Sequence, residues 1–340
     1  MASETSTFIT KSWYQGALWL YLLLPFNLLY SLITYLRTSL YQFRILKTYR
    51  AKVPVVVVGN ITLGGTGKSP LVAYLVESLQ EMGFKPGVVS RGYGASIATD
   101  EVREVLSDSS VLEVGDEPLM LKLRVGCPIF VSPTRSLAVK ALEAQGCDIV
   151  ITDDGMQHYA LARDIEICVF DGERKWGNGH LLPMGPMREP LKRIKYTDFI
   201  VMNGADWSSS IKPKQAALRM DLEASKLQSL NSEQSLPLSN FSAQKVNAIA
   251  GIGNPQRFFN TLADHGLLVE SLAFSDHHAY TQADVSFENG LPLLMTEKDA
   301  VKCRQFNLSA AWYLPVSAKL SDDLAARIIT SLKSKGWFNG

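Results

Sequence analysis

The sequence predicts an α/β protein: a mostly parallel sheet flanked by helices, a second and smaller α/β domain after it, and a membrane-associated helix before it. Three observations predict this. Residues 53–69 read VPVVVVGNITLGGTGKS, an apolar β-branched run that breaks into a glycine-rich turn and ends ahead of a helical pattern. Such a run is the signature of a strand buried on both faces of a parallel sheet. Residues 148–155, DIVITDDG, repeat the theme with a strand that ends in paired carboxylates. Residues 17–36 form a mostly apolar stretch, ALWLYLLLPFNLLYSLITYL, and about twenty such residues suffice to span a hydrocarbon core as a helix.

The first stretch carries the chemistry. Strand, glycine loop, Lys-Ser and helix in that order make the context of a P-loop, so the fold expected is of the P-loop NTPase type. Thr62, Leu63, Gly64, Gly65, Thr66, Gly67, Lys68 and Ser69 would curl backbone N–H groups around phosphate oxygens, backed by the positive end of the next helix. Lys68 can reach the β/γ-phosphates and the Ser69 hydroxyl can bind Mg²⁺. Thr62 stands where the motif's first glycine would be. The structural alternative is a plain glycine turn between strand and helix.

The chain has 340 residues and a net charge of +1, room for two α/β domains plus an extension and no global argument for nucleic acid. No Asp or Glu occurs from Thr5 to Val76, whereas Lys11, Arg37, Arg44, Lys47, Arg50 and Lys52 do. That asymmetry places an anionic surface, a phospholipid membrane, beside the N-terminal end. Pro25 interrupts the apolar stretch, and Asn27, Ser31, Thr34 and Thr38 recur at helical spacing as a polar stripe. A helix, or a helix pair bent at Pro25, lying in the membrane face is favoured over one that crosses it. The basic flank puts the body on the cytoplasmic side. Cys127, Cys147, Cys168 and Cys303 lack metal or disulfide spacing and read as reduced and buried. The resulting boundaries are 1–52 for the N-terminal segment, 53–203 for the nucleotide-binding core, and 204–340 for a domain closing over the cleft.

Along the core, residues 85–90 make a strand that runs into Ser90-Arg91-Gly92-Tyr93-Gly94 at the carboxyl edge of the sheet, where open α/β sheets bind ligands. Arg91 there contacts a phosphate or is a surface arginine. Asp116, in Gly115-Asp116-Glu117-Pro118, is either the N-cap of a helix or an acceptor for a substrate hydroxyl proton. Asp153 and Asp154 at a strand end repel each other unless a cation lies between them, and Gln157 and His158 follow in the same loop. Residues 177–190, GNGHLLPMGPMREP, are too rich in Gly and Pro for a linker and read as a shaped binding loop. Residues 226–244, rich in Ser and Gln, read as loop. In the second domain, Gly251-Ile252-Gly253-Asn254-Pro255 is a tight turn opening a helix. Asp276-His277-His278-Ala279-Tyr280 is a polar loop whose histidine can pair with a carboxylate. The helix near residues 322–333 is ordinary amphipathic packing.

With these motifs in hand, GNITLGGTGKSP, VVSRGYG, GDEP, DDGMQH, LPMGPMREPL, AGIGNPQRFF, SDHHAY and TEKDAVK in that order, the chain resembles the tetraacyldisaccharide 4′-kinase family. The resemblance covers nearly the whole chain. It implies transfer of the γ-phosphate of ATP, with Mg²⁺, to the 4′-hydroxyl of a tetraacylated glucosamine disaccharide 1-phosphate at the cytoplasmic face of the inner membrane. By motif, Lys68 and Ser69 would serve the phosphates and metal. Asp153, Asp154 and Glu189 would form the acidic metal shell, Asp116 would be the base, and His277 its partner across the cleft. Arg91, Gln157, His158 and Arg188 would contact the lipid headgroup. No obligate protein partner is evident. The rival class is a membrane-associated GTP switch or P-loop metallochaperone. The first would want a lysine in Asn203-Gly204-Ala205-Asp206, and the second would want one at Leu63.

Overall fold

The computed structural model describes residues 2–207 and 217–338. The N-terminal helices are α1 (Ala2–Gln15) and, after a 3₁₀ turn at Leu18–Leu23, α2 (Leu24–Gln42). The break thus falls one residue before Pro25, which occupies the first turn of α2, where its missing N–H costs nothing.

The larger sheet contains β1 (Val55–Gly59), β2 (Pro86–Ser90), β3 (Arg103–Glu104), β4 (Ile129–Val131), β5 (Ile149–Thr152), β6 (Ile165–Asp171), β7 (Phe199–Asn203), β8 (Leu218–Glu223) and β15 (Ser317–Leu320). Their spatial order is β15-β8-β7-β6-β1-β5-β2-β4-β3. Every interior pairing is parallel, and only the edge pairs β15–β8 and β3–β4 are antiparallel. Strands β1, β2, β5, β6 and β7 are buried along their whole length, as the continuous Val/Ile runs require. One face packs α3 (Lys68–Glu81), α5 (Asp116–Val125) and α9 (Leu324–Ser334), and the other packs α6 (Arg135–Ala144). A single turn, α4 (Val111–Val114), precedes α5.

The second sheet contains β9 (Lys226–Ser229), β10 (Ser235–Pro237), β11 (Lys245–Ala250), β12 (Leu268–Ala273), β13 (Leu293–Thr296) and β14 (Ala311–Leu314), in the order β10-β9-β14-β13-β11-β12. Its helices are α7 (Pro255–Asp264) and α8 (Glu297–Cys303).

Two expectations are corrected here. The chain does not divide at 203/204, because β8, β15 and α9 return to the larger sheet; Leu324, Ile328 and Leu332 are buried in the same core as Leu71 and Leu75 of α3. The amphipathic pattern of α9 reports a buried face but not which sheet covers it. The Ser/Gln-rich stretch is also not simply loop. β9 and β10 form an antiparallel hairpin whose β9 pairs with β14, with Leu227 buried. One buried leucine among polar residues is enough for a strand whose other face is solvated.

Helix α2 is amphipathic in the inverted sense. Its polar side faces the protein: Asn27 is buried and its Nδ2 donates to the Leu181 carbonyl at 2.5 Å, and the Tyr30 hydroxyl donates to the Arg188 carbonyl at 3.1 Å. Ser31 and Thr38 satisfy their hydroxyls on carbonyls one turn back. Leu28, Leu29, Leu32, Ile33 and Leu36 point outward, each more than half exposed. Residues 18–42 are long and apolar enough to cross a membrane by length and composition. The loop at 177–190 is the seat of this segment: Trp13 Nε1 donates to the Pro183 carbonyl at 3.0 Å, and Trp13, Leu20 and Met184 form one buried cluster.

Candidate active site

Strand order reverses on either side of β1, and the crevice outside the carboxyl ends of β1, β2, β5, β6 and β7 is where an open α/β sheet binds its ligand. A cleft of about 1210 Å³ lies there, walled on its far side by the 251–258 and 276–277 segments of the second sheet and by α8. The glycine loop after β1 forms its floor. Gly64 and Gly67 have φ of +102° and +92°, values that L side chains resist. A Cβ on Gly67 would lie 2.8 Å from Asn203 Nδ2. Residues Leu63 to Ser69 line the cleft. Thr62 does not: it is buried, and its backbone bridges Met187 beneath the loop. That corrects its place among the phosphate-binding residues, and a side chain turned inward explains why a non-glycine is tolerated there.

Asp153 and Asp154 follow β5 on the cleft wall. Asp154 adopts a left-handed φ of 49°, a conformation that is uncommon outside glycine and that concentrates at functional sites. Its carboxylate receives Arg188 Nη1 at 3.0 Å, and Lys68 Nζ lies 3.7 Å away. Burial pushes the Asp154 carboxyl up, but the Lys68 and Arg188 charges outweigh it and hold it below the usual carboxylate range. Asp153 differs. Its Oδ1 is buried with no hydrogen-bond partner, and burial, reinforced by Glu117, pushes its pKa up to about 7. A buried carboxylate with an orphaned oxygen facing a phosphate cradle suits a divalent cation.

Glu189 stands outside this group. Its Oε1 accepts from Gln157 Nε2 at 2.8 Å, and its Oε2 accepts from the Tyr159 hydroxyl and forms an ion pair with Arg193, whose Nε lies 3.2 Å away. With both oxygens engaged and the side chain buried away from the cleft, it organises the loop around Gln157 rather than joining the acidic pair. The sequence places Glu189 beside Arg188 but cannot show that neighbours in an extended loop point apart.

Arg91, Gln157, His158 and Arg188 all line the cleft. Arg188 Nη1 also donates to Gln157 Oε1 at 3.1 Å. Burial, together with the charges of Arg135, Arg163, Arg37 and Arg91, drives the His158 pKa down to about 3. Arg135 itself is buried, donates Nη2 to the carbonyls of Asp153 and Asp154, and leaves Nε unpaired.

Across the cleft, Asp116 is not an N-cap. Helix α5 begins at Asp116 itself, after Gly115 at φ 90°, and its Oδ1 accepts the Glu117 N–H at 2.9 Å. His277 Nδ1 lies 2.9 Å from Asp116 Oδ2 and 3.2 Å from Oδ1. His278 turns away and pairs with Asp284 at 3.3 Å, so of the doubled histidine it is His277 that faces Asp116. The hydrogen bond to Asp116 raises the His277 pKa against burial and the charge of Lys298. Burial pushes the Asp116 carboxyl up, but His277 and Lys298 outweigh it and leave it below its usual value. His277 is another left-handed residue, φ 59°. Two site residues escaped the sequence reading, Arg135 and Lys298. Each is a cation in the first turn of its helix, a placement the helix dipole disfavours and the one signal that could have found them.

The same architecture recurs among known proteins. The model of the family described as tetraacyldisaccharide-1-P 4′-kinase matches residues 19–333. The chain belongs to that family. It is 43% identical over 336 residues to the tetraacyldisaccharide 4′-kinase of Methylobacillus flagellatus, covering 98% of each chain. It is 46% identical over 329 residues to that of Aeromonas salmonicida, covering 96% of this chain and 97% of the relative. The crystal structure of LpxK from Aquifex aeolicus in complex with ATP superposes with a TM-score of 0.78 at 29% identity, covering 93% of this chain and 98% of that one. As a member of the tetraacyldisaccharide-1-P 4′-kinase family the chain is a kinase of lipid A biosynthesis, and the switch and metallochaperone readings lapse.

Proposed function

We propose that this kinase takes ATP in the glycine loop and moves its γ-phosphate to the 4′-hydroxyl of a tetraacylated disaccharide 1-phosphate held at the cytoplasmic face of the inner membrane. The observation that carries the site assignment is the Asp116–His277 pair, which faces the Lys68 loop and the Asp153–Asp154 wall across one cleft. Backbone N–H groups of residues 63–69, with the N-terminus of α3 behind them, hold the phosphates, and Lys68 offsets their charge. Ser69, Asp153 and Asp154 would hold Mg²⁺. A carboxylate or two plus substrate phosphates is the set this ion prefers, and the unpartnered Asp153 Oδ1 fits it. When bound, the ion neutralises charge on the phosphate oxygens.

Asp116 is ionised at working pH, since its carboxyl is held below the usual range. It accepts the proton of the attacking hydroxyl while the imidazole of His277 stabilises and orients it. Such a transition state is loose, so fixing the reactants and offsetting their charge matters more than proton removal. Arg91, Arg188, Gln157 and His158 line the same cleft and would contact the phosphorylated sugar. The outward apolar face of α2 seats the protein in the bilayer that holds the substrate. The test is radiolabelled γ-phosphate transfer from ATP to the lipid disaccharide, followed by thin-layer chromatography. ATP turnover without labelled lipid would overturn the acceptor assignment, and unchanged transfer by Asp116→Ala at saturating ATP would remove Asp116.

A further inference from the structure

Lys298 is the second residue of α8, and its stem is nearly buried. A cation there gains nothing from its own helix, whose N-terminal dipole opposes it. What it gains is three short contacts. Its Nζ lies 3.1 Å from Glu117 Oε1, 3.1 Å from Asp276 Oδ1 and 3.3 Å from His277 Nε2. An ammonium has three N–H donors and no acceptor, so all three are used, and the third requires a lone pair on His277 Nε2. A neutral imidazole that accepts this third donor carries its proton on Nδ1, which lies 2.9 Å from the Asp116 carboxylate.

We propose that Lys298 is a positioning residue for phosphoryl transfer: it caps His277 Nε2, holds the imidazole neutral in its Nδ1–H form toward Asp116, and ties the helix carrying Asp116 to the loop carrying His277. The proposal rests on the reading in which Asp116 receives the hydroxyl proton. The groups facing His277 are Asp116 and Glu117 from α5, Asp276 from its own loop, Lys298 from α8, and the Tyr93 ring at 4.9 Å. Lys302, one turn beyond Lys298, adds its charge at Asp116. The acids favour a doubly protonated ring and the lysine opposes it. An imidazolium would put Nε2–H against the ammonium and would leave Asp116 a poorer base.

The test uses full-length protein in detergent micelles labelled with ¹³C,¹⁵N-histidine, with the His277 resonances assigned by their loss in His277→Gln. In the wild type, His277 above its pKa should show the Nδ1–H form alone. In Lys298→Met its pKa should rise by about one unit or more, the shift expected when a neighbouring like charge is removed, and both neutral forms should appear. The acid limb of kcat/KM should move up with it, leaving most of the loss of rate at low pH. Lys298→Arg, which keeps the charge, should titrate like the wild type. An Nε2–H form in the wild type overturns the proposal, and this needs no variant to fold. So does a Lys298→Met enzyme whose His277 titration is unchanged and whose rate falls by one factor at every pH, since that describes only a strut. Full turnover by His277→Ala would instead sink the role of the Asp116–His277 pair and leave the spectra standing.

Discussion

Replacing Leu29, Leu32, Ile33 and Leu36 together by serine tests whether α2 lies in a bilayer. All four are more than half exposed and none contacts the cleft, so the fold should survive. Fully burying such a side chain is worth about 1.5–3 kcal/mol, so placing the exposed half of each in lipid contributes about 1 kcal/mol. The four together contribute about 4 kcal/mol, and at 1.4 kcal/mol per tenfold the partition constant should fall roughly 10³-fold. The assay is cosedimentation of the full-length protein with sucrose-loaded vesicles of phosphatidylethanolamine and phosphatidylglycerol, with thermal melting as the control for folding. If a folded quadruple variant partitions within threefold of the wild type, the outward face of α2 is not the membrane contact. Glu or Lys at the same positions would confuse the result with headgroup electrostatics, so serine is the cleaner choice.

Lys68→Met should lower kcat by roughly 10²–10³-fold, the loss typical when one pre-positioned charge-stabilising group is removed, with little change in KM for the lipid; steady-state kinetics at saturating ATP will show it. Gly67→Ala must hold a φ of +92° and put its Cβ against Asn203 and Met220. The left-handed conformation alone costs about 1–2 kcal/mol, so ATP affinity by calorimetry should fall about tenfold or more, and an unchanged Kd would refute the cradle. His158, pushed down to about 3, should be neutral throughout the physiological range. Its ring signals should show no inflection from about pH 5 to pH 8, against the ordinary midpoint near 6.5, and an inflection there would mean that the surrounding guanidiniums do not face it.

Much of the larger sheet was legible because each parallel strand is buried on both sides and so carries a continuous apolar run that ends in the residues it presents. β1, β2 and β5 deliver Lys68, Arg91 and Asp153 in this way. The edges were not legible. β8 and β15 fell within the span assigned to a later domain because an antiparallel edge has one solvated face, and the two partners lie about a hundred residues apart in sequence, Met220 against Leu320. Paired residues across the cleft were legible only as types. Asp116 stood out beside a glycine and His277 in a polar loop, each as a titratable group, but the choice between His277 and His278 depends on a left-handed backbone at the first of them. Glu189 was misplaced for a related reason. The motif placed it with the metal, whereas Arg193, four residues on, pairs with it at 3.2 Å, and an ion pair formed where an extended loop enters a short 3₁₀ turn (Leu191–Tyr196) leaves no periodic trace.

The seat that residues 177–190 make for the N-terminal helices carries a practical consequence. Asn27 and Tyr30 donate to the carbonyls of Leu181 and Arg188, Trp13 donates to that of Pro183, and the guanidinium of Arg188 reaches Asp154. Trimming the chain to obtain a water-soluble enzyme would therefore strip donors from three backbone oxygens, bare Met184 to solvent, and loosen the arginine that steadies the catalytic wall. A soluble variant is better sought by repainting the outer surface of α2 than by shortening the polypeptide, because the N-terminal helices and the cleft wall are clamped by the same few residues.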